Sequence, residues 1–243
     1  MHDTTWNATK PHPEHKFKHA LVKLDDIPAT TSADGDRWYH TEEGDYPSIT
    51  TVLKKMKDHS VLDAWKERVG EKEADRQKRQ AGTRGTALHK VCEKFLMNQP
   101  IDISREMPIT QDLFKQISYI LADNVSLVYG LEIPLYSNFL RLAGRTDGAV
   151  QWKGKNAIID FKNSTRAKKE EWIEGYFEQT ASYCVMFEER TGIAMPYMIV
   201  IISVLEEGRP QLFFKKRDDY IGNVIKMAKE YHKCQDSLNS NSG

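Results

Sequence analysis

Asp160 and Lys162 stand two apart in the run Ile158-Ile159-Asp160-Phe161-Lys162. In a strand, residues two apart leave on the same face. Upstream lies Gly144-Arg145-Thr146-Asp147, and between the two runs comes Lys153-Gly154-Lys155-Asn156, a turn composition. If Lys153-Gly154 is the two-residue loop of a hairpin, counting outward sets Asp147 opposite Asp160. The two would share a face, about 5 Å apart by ordinary cross-strand spacing. A four-residue loop keeps this parity, and an odd loop disturbs it unless a bulge compensates.

Facing carboxylates repel each other unless a cation sits between them. All-oxygen ligands suit Mg²⁺ or Mn²⁺. Such an ion lowers the pKa of bound water and neutralises charge on a phosphate, and the amine of Lys162 would hold the attacking water or steady the developing charge. Two carboxylates and a lysine are therefore the minimal parts for metal-assisted phosphodiester hydrolysis. The competing reading is a surface salt-bridge ladder, but Ile158-Ile159 argues for an internal strand, where an unpaired carboxylate costs several kcal/mol.

The surrounding elements read as follows. Arg37–His40 and Asp45-Tyr46 flank a Gly44 turn, which predicts a small hairpin. Ser48 is placed to cap a helix carrying Val52, Leu53 and Met56. A second helix over 61–80 carries Leu62, Trp65 and Val69 on one stripe, and Gly82-Thr83-Arg84-Gly85-Thr86 reads as a break before a third helix with Leu88, Val91, Cys92, Phe95 and Leu96 inward. A further helix spans about 110–128. From Tyr129-Gly130 onward the pattern predicts three strands (131–137, 140–152, 157–161), a helix over 170–190, strands at 197–205 and 211–215, and a helix over 220–234. The order predicts an α/β chain with a mixed sheet flanked by helices. The expected organisation is a flexible arm over 1–36, a helical lobe with a small hairpin over 37–128, a core over 129–236 and a disordered tail over 237–243.

The chain has 243 residues and formally no net charge, with 35 basic and 35 acidic side chains. That length buries a core without staples, and the composition excludes wholesale disorder. Three cysteines far apart in sequence (Cys92, Cys184, Cys234) exclude a disulfide framework and any local CxxC cluster and read as buried or half-buried thiols. The longest apolar run, near Met198–Leu205, is too short to span a bilayer, and the first residues carry no secretory signal pattern, so a cytoplasmic protein without a membrane partner is expected. Basic residues cluster locally, at Arg76, Lys78, Arg79, Arg84 and Lys90 and again at Lys162, Arg166, Lys168 and Lys169. Each cluster is a solvated face or a phosphate contact.

Taken in order, Gly144-Arg-Thr-Asp147, Ile159-Asp-Phe-Lys162 and Gln179-Thr-Ala-Ser-Tyr183 resemble the PD-(D/E)XK nucleases of the RecB-like branch. Gly85-Thr-Ala-Leu-His89 is similar to the GTxxH helix of that branch. Tyr46-Pro-Ser-Ile-Thr50, followed by Trp65 and Arg68, is similar to mitochondrial genome maintenance exonucleases and their phage-encoded relatives. The resemblance covers about 45–205, and one departure is Asn163, where those proteins usually have Thr. Asn163 should point away from Lys162 and be tolerated.

The resemblance implies a restriction-endonuclease-like mixed β-sheet with an N-terminal helical lobe. It implies a Mg²⁺- or Mn²⁺-dependent deoxyribonuclease, an exonuclease on single-stranded DNA ends, working as a monomer in a bacterial or virus-infected host cytoplasm. Asp147 and Asp160 would be metal ligands with the Phe161 carbonyl, and Lys162 would activate water. His89 would be a further ligand or else a satisfied core histidine, and Glu132 a metal or water organiser or else a strand-edge acid. Gln179 and Tyr183, one helical turn apart, would orient Lys162 or meet the scissile phosphate. Ser48 and Thr50 would hold a phosphate at a helix N-terminus or simply cap it. Arg84, Lys90, Arg166 and Lys168 would line the strand path, with Trp38, Tyr46 or Trp172 available for stacking. An endonuclease of the same fold and a non-catalytic nucleic-acid-binding module are the rival expectations.

Overall fold

The computed structural model describes residues 15–57 and 60–240. A three-stranded antiparallel sheet comes first: β1 (Ala29–Thr31), β2 (Arg37–Thr41) and β3 (Gly44–Pro47). Four helices follow: α1 (Ile49–Met56), α2 (Ser60–Val69), α3 (Glu71–Leu96) and α4 (Pro108–Asn124). Then come β4 (Val125–Ser137), β5 (Leu142–Trp152), β6 (Lys155–Ser164), α5 (Glu174–Thr191), β7 (Tyr197–Val204), β8 (Gln211–Lys216) and α6 (Ile221–Ser240). Strands β4 to β8 form one mixed sheet in sequence order, antiparallel throughout except for the parallel β6–β7 pair. That pair is parallel because α5 carries the chain back between them, which a tight turn cannot do. The chain is therefore a mixed α/β protein with helices on both faces of its main sheet.

β7 shows why both faces are covered. Val200 and Ile202 pack with α1, α5 and α6, against Val52, Phe177 and Tyr231. Ile199 and Ile201 pack on the other face with α3 and α4, against Val91, Phe95, Phe114 and Ile117. A strand buried on two sides loses polar alternation and reads as a continuous apolar run, as Met198–Ile202 does.

Three sequence expectations are corrected. First, the stretch 61–80 is not one helix, and no break occurs at 82–86. The break is at Gly70, whose φ of 84° is outside helical space, and α3 runs unbroken for 26 residues. Thr83 and Thr86 bond back to the carbonyls of Arg79 and Gly82 within this helix. Second, the half of the expected arm from His15 onward is packed. Phe17 is buried against Phe95, and the Ala20 and Val22 amides donate to the Val128 and Tyr129 carbonyls of β4. Third, α6 continues through Ser240, beyond the point where a disordered tail was expected.

The division into lobe and core also differs, since α3 and α4 form one face of the main sheet. The expected strand start at 131 moves to Val125, at the end of α4. Cys234 is exposed, and Cys92 and Cys184 are buried. Residues 1–14 of the arm, 241–243 of the tail, and the Leu62 and Trp65 side chains lie outside the described residues. No helix among the described residues is long and apolar enough to cross a membrane.

Candidate active site

The β5–β6 hairpin has the register that the Lys153-Gly154 loop predicts: Trp152 pairs with Lys155, and the ladder proceeds to Gly148 opposite Ile159. There it ends, one pair short of the two aspartates. Instead of a backbone carbonyl, the Asp147 carboxylate enters the opening, and its Oδ2 accepts the Phe161 N–H at 2.6 Å. The strands separate because a buried amide needs a partner and the carboxylate supplies a charge-assisted one.

α3 reaches the same point from the other side. His89 Nε2 lies 2.8 Å from the Phe161 carbonyl oxygen, and Nδ1 lies 3.3 Å from Asp147 Oδ1. Phe161 is thus gripped through its N–H by Asp147 and through its C=O by His89. Gly85, one turn before His89, permits the approach. A Cβ there would lie 3.1 Å from Asn163 Nδ2, which itself donates to the Ala81 carbonyl of α3. Asn163 therefore serves the α3–β6 contact, while Lys162 on the same strand meets α5.

Glu132 completes the group from β4. The flanking pairs, Leu131–Gly148 and Ile133–Thr146, set it across from Asp147, and its φ of 49° interrupts the regular strand. His89, Glu132 and Asp147 each offer a donor atom, and those atoms all lie within 4.8 Å of one another. Asp160 is not in that trio. It is 2 % exposed and engaged by Lys162, whose Nζ donates to Oδ1 at 2.7 Å and lies 2.6 Å from Oδ2. The Oδ1 contact is a hydrogen bond, whereas the buried Oδ2 lacks hydrogen-bond geometry and is met by charge alone.

Lys162 is itself positioned by α5. The Gln179 side-chain oxygen is 3.5 Å from its Nζ, the Tyr176 ring centre is 5.1 Å away, and Gln179 Nε2 reaches Tyr183 Oη at 3.4 Å. The ring of Tyr183 fits because residue 144 is glycine: a Cβ there would stand 2.6 Å from Tyr183 Cε1. Sequence reasoning named Gln179 and Tyr183 but missed Tyr176, whose one signal is its place three residues before Gln179 on the same helix face.

Burial and charge push these groups apart. Burial raises the Asp160 carboxyl to about 6 despite the pull of Lys162. Burial also works against charge on Asp147, but the hydrogen bond from His89, then Lys162 and the Phe161 amide, hold it below the usual carboxylate range. His89 is opposed by burial, yet Asp147 carries it up to about 8. Lys162 is raised by Asp160 and Asp147 despite burial, and Glu132 is raised by burial and by Asp147. Two nearby acids with divergent proton affinities can do different work at one pH.

The remaining residues named from the sequence are spread more widely. Ser48 is buried, caps α1 by accepting the Thr51 amide at 3.0 Å and bridges to Ala143, while Thr50 is exposed with its hydroxyl 2.9 Å from that of Ser48. The hydroxyl of Ser48 is thus spent on capping. Lys90 is exposed on α3, and the Nε of Arg84 is buried without a partner among the described residues. Arg166 is exposed and paired with Glu206, and Lys168 is exposed in the loop after β6. Of the three aromatics, Trp172 is 63 % exposed, Trp38 is half-buried and Tyr46 is buried, which removes Tyr46 as a stacking platform.

No family model matches the chain, and no curated protein matches it. Among solved structures, the crystal structure of SSO0001 is similar over 78% of this chain and 76% of its own, at 14% sequence identity and a TM-score of 0.41.

Proposed function

We propose that this chain is a Mg²⁺- or Mn²⁺-dependent deoxyribonuclease of the PD-(D/E)XK type, an exonuclease hydrolysing phosphodiester bonds at single-stranded DNA ends in replication, recombination or repair. The observation that carries this reading is the convergence at the end of the β5–β6 ladder. There His89, Glu132 and Asp147 bring three donor atoms within 4.8 Å, and Lys162 stands against the buried Asp160. Carboxylate and carbonyl oxygens suit these ions, and Asp160 Oδ2, buried without a hydrogen bond, faces the Lys162 ammonium at 2.6 Å.

Asp147, Glu132 and His89 would hold the ion, with Asp160 and the Phe161 carbonyl beside them. When bound, the ion supplies Lewis acidity at the phosphate and a more acidic water. The chain's own residues supply the rest. Lys162 carries a positive charge against the phosphate and orients the water by hydrogen bonding. Gln179 and Tyr176 fix the ammonium, and Tyr183 fixes Gln179. Asp147, held ionised, keeps Phe161 in place.

The test is a time course on single strands labelled at either end, with Mg²⁺ and with EDTA. Progressive shortening from one end in Mg²⁺, none in EDTA, and an intact circular single strand are expected. Cutting of the circle would make it an endonuclease on the same site. Binding without cleavage under any divalent ion would leave only a nucleic-acid-binding module.

A further inference from the structure

A second cationic site lies away from the candidate centre, in a cleft of about 670 Å³ between the β4–β5 turn and α6. We infer that this cleft holds a segment of single-stranded nucleic acid, its phosphates on Arg141, Lys229 and Lys233 and one unstacked base on Phe139. The inference rests on the nuclease reading for the kind of polymer, but its chemistry stands on the cleft.

Phe139 is 68 % exposed, yet the turn that carries it is fixed. The Asn138 amide donates to Glu189 at 2.7 Å, and the Asn138 side chain accepts from Tyr46 at 3.0 Å. The Leu140 amide donates to Ser137 at 2.9 Å, and His232 Nε2 lies 3.3 Å from the Leu140 carbonyl. A large apolar ring held outward on a rigid turn is a preorganised platform, not a frayed core residue. Around it, Arg141, Lys229 and Lys233 make no ion pair among the described residues, and Asp236 is the single acid of the lining. Lys229 and Lys233 are one turn apart on α6 and so face the cleft together.

Cations spaced around an aromatic face are the pattern that tracks a phosphate chain while stacking its bases. A duplex keeps its base faces covered, so an aromatic platform selects unpaired bases. An acidic peptide would answer the cations but leave the ring uncovered. Arg141 directly precedes β5, and Asp147 lies six residues on along that buried strand. At about 3.3 Å per residue that sets the two roughly 20 Å apart.

The experiment measures binding of a fluorescent 20-nucleotide oligothymidylate in EDTA, where no cleavage occurs, over a series of salt concentrations. Variants are Phe139→Ala and the pair Arg141→Gln with Lys233→Gln. All are exposed positions, and unchanged melting temperatures verify the fold. Expected are an affinity loss of about fivefold to a hundredfold for Phe139→Ala and a salt slope shallower by about 1.4 for the double variant, two phosphate contacts at ~0.7 each. Ultraviolet crosslinking of an iodouridine-substituted strand should map to the turn. Wild-type binding with unchanged variants overturns the cleft and leaves the nuclease reading intact. No wild-type binding to any single strand overturns both. If a polyglutamate peptide loses affinity in the double variant while the oligonucleotide does not, the cleft is a protein-docking surface and the inference is wrong.

Discussion

Gly144 lies against the ring of Tyr183 so closely that a methyl group there would stand 2.6 Å from Cε1 and 2.9 Å from the hydroxyl oxygen. The glycine of Gly144-Arg-Thr-Asp147 is thus a packing requirement that links β5 to α5. Gly144→Ala should displace Tyr183, and through Gln179 loosen Lys162. We expect a stability loss of about 1–3 kcal/mol and a larger fall in cleavage than in DNA binding, measured by denaturant titration and by single-turnover assay. Unchanged cleavage in a folded variant would remove Tyr183 from the positioning chain.

Asp160→Asn tests the pairing at the centre of the site. It should abolish cleavage and leave DNA binding in EDTA nearly unchanged. It also strips Lys162 of its partner, and breaking a buried pair costs about 3–5 kcal/mol; with Lys162 partly exposed, we expect the low end. A cleavage rate near that of the parent protein sinks the site assignment.

The pH response follows from His89, whose pKa rises from 6.5 to about 8 on folding. A group more basic in the folded state adds stability that is full below pH 6.5 and lost as pH rises through 8. In EDTA, stability should therefore fall between pH 6.5 and 8.5 by on the order of 1–2 kcal/mol. Mn²⁺ affinity should move the other way, strengthening over the same interval because ligation needs the neutral imidazole. His89→Gln should flatten both curves, read by chemical denaturation and calorimetric titration.

Gly85 gives a test of the α3–β6 contact. Gly85→Val should push Asn163 and the helix apart, weakening Mn²⁺ binding and lowering stability by about 1–2 kcal/mol. Asn163→Ala in the same chain opens the space and should recover part of both losses, a coupling that a double-mutant cycle measures. Additive losses would mean that the two residues do not share the contact.

Much of the sheet was readable from local pattern. The Lys153-Gly154 loop fixed the register of β5 and β6, since a two-residue turn leaves no freedom in pairing. The same reading missed that the ladder stops before Asp147, because that depends on a carboxylate competing for the Phe161 amide and on His89 arriving from α3. The helix break was misassigned for a similar reason. Gly82 and Gly85 look like breakers in isolation, but Gly85 is there for close packing on β6 and Gly70 carries the positive φ. Lys162 was readable as a partner of Asp160 from spacing alone. Its support by Tyr176 was not, because it needs the crossing of α5 over β6.

The short run around His19, bonded to Val128 and Tyr129, covers part of the open margin of β4. Unpaired strand margins template association between molecules. A shortened chain beginning after Leu24 would offer that margin to its neighbours, and its first symptom would be loss of colloidal solubility rather than loss of chemistry.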